Sequence, residues 1–118
     1  MELNDYQKKA MATKMDTCDN FGYMFLNLTG ELGEFASKVA KAIRKGENFI
    51  DGNRLIDTHK TRGYFADELK KEAGDVLWQL AGLCDVMGWT LEEVATQNLD
   101  KLADRQIRGV IDGNGDNR

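Results

Sequence analysis

Apolar residues recur at three- and four-residue intervals along most of the chain, the period of amphipathic helices. Leu28, Leu32, Phe35, Val39 and Ile43 form one stripe within Phe21 to Lys45, and Gly46 stands where a C-terminal cap belongs. A second stripe, Leu69, Val76, Leu80, Leu83 and Met87, predicts a helix from Ala66 to Met87 with Gly88 beyond it. Thr90 and Glu93 spell a capping box for a further helix carrying Leu91, Val94, Ala95, Leu99 and Leu102, which Gly109 ends. Residues 4 to 16 predict a shorter first helix capped by Asn4 or Asp5. Segment 46–65 shows no sustained period and is expected to be irregular, as is the Gly-, Asn- and Asp-rich tail 109–118.

These elements predict an all-α, four-helix bundle-like α-hairpin domain spanning 1–118. The chain contains no proline to interrupt a helix. At 118 residues it is long enough for one domain and short for two. The second and third helices carry apolar stripes broader than one short chain can cover. The domain is therefore expected to pair with further copies, as a homodimer or homotetramer, to complete its core.

Composition narrows the function. Hydrophobic residues make up 42% and charged residues 31%, and the net charge is −4. The pI of about 5.0 argues against general binding to nucleic acid or to an anionic membrane surface. No apolar run approaches the length of a membrane span. Cys18 and Cys84 are too few for a disulfide framework and read as free thiols in a reducing cytoplasm.

The candidate chemistry lies in a short internal echo. Glu31-Leu32-Gly33-Glu34-Phe35 on the second helix matches Glu72-Ala73-Gly74-Asp75-Val76 on the third. Each places two acids at i and i+3, about 5–6 Å apart between β-carbons, at equivalent angles beside an apolar stripe. In an antiparallel pair all four carboxylates converge at one margin of the core, and Gly33 and Gly74 would let the backbones approach. Acids so placed repel one another or take up protons unless a cation joins them. Oxygen-only ligands point to Mg²⁺ or Mn²⁺ in preference to zinc. Acid pairs at this spacing are also common on solvated helix faces, and spacing alone leaves both readings open. The one histidine, His59, reads as a surface residue.

On the fourth helix Asn98 interrupts the apolar stripe, and Lys101 and Arg105 follow on the same flank. Three donors in a row suit phosphate oxygens, Arg binding two at once. A buried Asn with two snorkelling cations is the plainer reading of that helix on its own. Phe21, Tyr23, Trp78 and Trp89 are candidates to stack on a base, although aromatics at helical spacing are more often core.

Taken together, Glu31-x-x-Glu34, Glu72-x-x-Asp75, Asn98-x-x-Lys101-Leu102 and Arg105 resemble the MazG-type nucleoside triphosphate pyrophosphohydrolases of the all-α pyrophosphatase superfamily. The resemblance runs from Tyr6-Gln7 to the tail Gly113-Asn114-Gly115-Asp116-Asn117-Arg118. It implies hydrolysis of a nucleoside triphosphate to its monophosphate and pyrophosphate. By the same resemblance Glu31, Glu34, Glu72 and Asp75 hold Mg²⁺, Lys101 and Arg105 contact phosphates, and Asn98 orients the substrate. The stretch between the acid pairs is longer than in many members, so 46–65 is expected to be an insertion that affects the base pocket or subunit contacts.

Two further assignments are expectations: Glu34 as the acid that takes the proton of the attacking water, and Arg118 placed near phosphate by a folded tail. No Ser/His/Asp or Cys/His arrangement and no Walker-type loop competes. The alternatives are a relative with a narrow substrate (dUTP, dCTP or phosphoribosyl-ATP) and a non-catalytic helical dimer binding divalent ions or a protein partner.

Overall fold

The computed structural model describes residues 1–57 and 64–118. His59 and the end of the segment that follows the second helix lie outside the described residues. Four helices account for most of the chain: α1 (Leu3–Met11), α2 (Phe21–Arg44), α3 (Tyr64–Val86) and α4 (Leu91–Arg108). The expected all-α domain is thus observed, with one departure.

That departure is a β-hairpin in the segment expected to be irregular. Strands β1 (Asn48–Asp51) and β2 (Arg54–Asp57) pair antiparallel, Phe49 opposite Ile56 and Ile50 opposite Leu55. Gly52 takes φ +60° at the first position of the two-residue Gly52-Asn53 turn, the placement that a tight hairpin favours. Apolar pairs flanking a Gly-Asn turn carried this signal. It was hidden because each strand is only four residues long.

Helix ends follow local chemistry. Asn20 caps α2, its Oδ1 accepting from Tyr23 N at 2.8 Å. Thr90 and Glu93 form the expected capping box of α4, and Gly109 closes that helix in the left-handed region. Helix α1 stops at Met11, short of residue 16. Thr13 N and Oγ1 and the Trp78 indole all donate to Ala10 O, at 3.0, 2.7 and 3.1 Å, and take the carbonyl that another turn would use. A single 3₁₀ turn, Asp16–Cys18, leads into α2.

Helices α2 and α3 pack antiparallel, and α1 packs against α3 and α4. The core gathers Ala10, Met11, Met24, Ala81, Cys84 and Leu91, with Tyr6, Trp78 and Leu83 against it. Gln7 ties α1 to the α3–α4 turn. It donates to Ala81 O and Trp89 O at 3.3 and 3.0 Å and accepts from Leu91 N at 2.9 Å. The glycine of closest approach is Gly82, where a Cβ would lie 2.3 Å from Met24 Sδ. Gly33 and Gly74, expected to serve that purpose, have nothing within 4 Å of a built Cβ, because both face away from the partner helix.

Several predicted core positions are uncovered within one chain. Leu32 is 53% exposed and Leu99 66%, and Leu80 also faces outward, as do Phe25, Leu26 and Leu77 outside the predicted stripes. The radius of gyration is 17.7 Å, against about 13–14 Å for a compact domain of this length. The single chain is an open arrangement of amphipathic helices.

Candidate metal and nucleotide site

The contacts between α2 and α3 run in opposite chain directions. Gln79 meets Met24 and Asn27, and Lys38, further along α2, meets Glu72, earlier on α3. This register brings Glu31 opposite Glu72 and Asp75. One carboxylate oxygen from each lies within 4.8 Å of the other two. Glu72 is 8% exposed, Glu31 is half-buried and Asp75 is open to solvent.

The donor set fits a hard divalent cation. Glu31 Oε2 and Glu72 Oε2 are both buried with no hydrogen-bond partner, an arrangement that is costly unless something positive sits between them. Burial raises the Glu31 pKa above the ordinary carboxylate value. Glu34, Asp75 and Glu72 add to the rise, while the hydrogen bond from Asn27 opposes it. Three converging acid oxygens without nitrogen or sulfur suit Mg²⁺ or Mn²⁺.

Two features differ from the sequence reading. Glu34 is exposed and stands outside the three-acid group, although near enough to act on Glu31 through its charge. The cluster also has a cation that sequence reasoning missed, since Lys38 Nζ lies 2.9 Å from Glu72 Oε1. Neither Glu31 nor Glu72 has a base three or four positions away on its own helix, and this pair crosses between helices. Lys38 follows Glu31 and Glu34 by seven and four positions, so it shares their face of α2, which was the available signal.

The α4 residues form a second group. Asn98, Lys101 and Asp116 border a hollow of about 630 Å³ with Val94, Gln97 and Asp100. Asn98 is exposed here, not buried within a stripe. Arg105 is 4% exposed. Its Nη2 donates to Gly115 O at 3.3 Å and to Asp116 Oδ1 at 3.1 Å, and its buried Nε has no partner. Lys101 Nζ reaches the same Asp116 oxygen at 3.1 Å. A carboxylate oxygen therefore occupies a place between two cations that would equally suit a phosphate oxygen. These two cations hold the Asp116 carboxyl below its usual value.

The tail is ordered by Arg118, which donates to Val110 O, Gly115 O and Ile111 O at 3.0, 2.7 and 3.2 Å. None of Glu31, Glu34, Glu72 or Asp75 borders the hollow beside Lys101. Trp78 is engaged structurally, its indole donating to Ala10 O and Thr13 Oγ1. Trp89 is exposed beside α4, and the Phe21 and Phe25 rings stack at 5.7 Å.

No helix among the described residues is long and apolar enough to cross a membrane. The family model for the MazG nucleotide pyrophosphohydrolase domain matches residues 21–109, which include both acid pairs and the α4 cations. The Gene 37 protein of Mycobacterium phage L5 is 39% identical over 125 aligned positions covering both chains in full. The uncharacterized protein YvdC of Bacillus subtilis (strain 168) is 36% identical over 76 residues, spanning 64% of this chain and 70% of its own. No solved structure matches. With the model match covering α2 to α4 and a full-length relative beside it, this chain belongs to the MazG nucleotide pyrophosphohydrolase domain family.

Proposed function

We propose that this protein hydrolyses a nucleoside triphosphate to its monophosphate and pyrophosphate, using a divalent cation held by Glu31, Glu72 and Asp75. The observation that carries this reading is the convergence of those carboxylates with two buried, unpartnered oxygens. A divalent ion held there, Mg²⁺ or Mn²⁺, supplies charge neutralisation for the phosphates and acidity for a water. Glu34, exposed at the rim beside the cluster, accepts the proton of the attacking water and can join the ligands when substrate is present.

Lys101 and Arg105 take phosphate oxygens in exchange for Asp116, and Asn98 orients the substrate in the adjoining hollow. Arg118 serves this end by folding the tail on itself, through Val110 O and Gly115 O, next to the Asp116 that meets Lys101 and Arg105. Removing residues 113 to 118 should lower turnover more than stability, and an unchanged turnover number rejects that role.

The assembly is a homodimer or homotetramer. The outward-facing Phe25, Leu26, Leu32, Leu80 and Leu99 favour burial against a second copy, which would also bring an α4 to the acids of its neighbour. The activity is tested by incubating a panel of triphosphates, dUTP and dCTP included, with Mg²⁺ and identifying products by ³¹P NMR. Pyrophosphate and a monophosphate are expected from wild type and neither from Glu34→Gln. Release of orthophosphate, or equal turnover in the variant, rejects the reading.

A further inference from the structure

One oxygen of Glu31 is gripped from outside the acid cluster, through a pair of side-chain amides that no part of the proposed reaction uses. Gln79, on α3, is 1% exposed. Its Nε2 lies 3.4 Å from Met24 O and 3.2 Å from Met24 Sδ. Both are acceptors only, so the Gln79 amide cannot turn over without setting its own oxygen against a carbonyl. Its Oε1 is thereby committed to Asn27, whose Nδ2 donates to it at 2.8 Å. With one hydrogen given to Gln79, the second Asn27 hydrogen is left for Glu31 Oε1, one turn ahead on α2, or Tyr23 Oη, one turn behind, each at 3.3 Å, and the charged carboxylate is the stronger acceptor. The polarity is fixed from the Met24 carbonyl through Gln79 to the Asn27 amide, which turns its N–H group toward one Glu31 oxygen. The other, Oε2, is the buried one without a partner.

We propose that Asn27 and Gln79 are positioning residues of the cation site, acting in series: Gln79 fixes Asn27, and Asn27 holds Glu31 Oε1 so that Oε2 is presented toward Glu72 and Asp75. This rests on the reading of Glu31, Glu72 and Asp75 as cation ligands. Neither amide touches the ion. Groups that orient a ligand in this way typically affect metal affinity by about 10- to 100-fold. The device answers a specific difficulty, since a half-buried Glu side chain has rotamer freedom that repulsion from two neighbouring acids would otherwise use to turn it away.

The test is Mn²⁺ binding to the purified protein, followed by the loss of the free-ion EPR signal, with melting temperature recorded alongside. Gln79→Met keeps the side chain's length and removes its polar atoms, and Asn27→Ala removes the donor. Each is expected to weaken Mn²⁺ binding by about 10-fold or more. Because the two act in series, the double variant should bind no worse than the weaker single one.

An affinity for Gln79→Met within twofold of wild type, whatever its melting temperature, overturns the proposal. So does a double variant whose loss is the product of the two single losses. Should Gln79→Met not fold, Asn27→Ala on the half-buried face of α2 decides alone, and unchanged Mn²⁺ affinity refutes the relay. Failure of wild type to bind Mn²⁺, or binding indifferent to Glu72→Gln, removes the cation reading itself. Binding that depends on Glu72 and ignores both amides removes only the relay.

Discussion

Replacing Glu31 by Gln should make the metal-free protein more stable and the metal-loaded protein less so. The carboxylate oxygens of Glu31 and Glu72 lie within 4.8 Å, and both residues are at least half-buried. Two unit charges at that separation repel by about 3 kcal/mol at an effective dielectric of about 20. Lys38 cancels part of this through Glu72, whereas Glu34 and Asp75, both screened by solvent, add to the repulsion on Glu31. A net relief of about 1–2 kcal/mol is therefore expected, since a Gln amide keeps the shape and still accepts from Asn27.

For a domain of this size that is roughly 5–10 °C in melting temperature. In Mg²⁺ or Mn²⁺ at about 100 times the dissociation constant, wild type should gain about 2.7 kcal/mol and Glu31→Gln almost nothing. The curves are measured at neutral pH by differential scanning calorimetry, in EDTA and in excess metal. A variant less stable than wild type in EDTA, or one that gains as much from metal as wild type, refutes the reasoning.

Two other outcomes follow from the same coordinates. Gly82→Ala should destabilise by about 1 kcal/mol in urea, the methyl pressing on buried Met24 faster than helix propensity compensates, whereas Gly74→Ala, facing open space, should stabilise by up to about 1 kcal/mol. Asp116 has a lowered pKa, so its clasp on Lys101 and Arg105 is complete above the ordinary carboxylate value of 3.8 and is lost as pH falls through its own lower one. Carboxyl ¹³C shifts should titrate below that ordinary value in wild type and return to it in Lys101→Gln/Arg105→Gln. A wild-type midpoint at or above 3.8 contradicts the clasp.

Much of this architecture is legible in the sequence because helix period, caps and acid spacing are local signals. The Thr90–Glu93 capping box, the glycines after α2, α3 and α4, and the facing Glu31 and Glu72–Asp75 motifs all appear where the pattern puts them. What escaped depends on contacts between elements. Lys38 pairs with Glu72 across two helices, Gly82 and not Gly33 or Gly74 meets its neighbour, and Trp78 spends its indole on the end of α1. The hairpin at Asn48–Asp57 was too short for periodicity to register. Asn98 and Leu99, on an apparent core stripe, face outward because a stripe records what a helix can bury and not what this chain places against it.

The central claim is that a divalent cation sits between α2 and α3. Anomalous diffraction from crystals grown with Mn²⁺ tests it most directly. The account predicts a peak bonded to oxygens of Glu31, Glu72 and Asp75, at about the 2.0–2.2 Å typical of a small hard cation. A Mn²⁺ peak elsewhere with that space empty, or Lys38 still paired to Glu72 at saturating metal with no ion beside it, would contradict it.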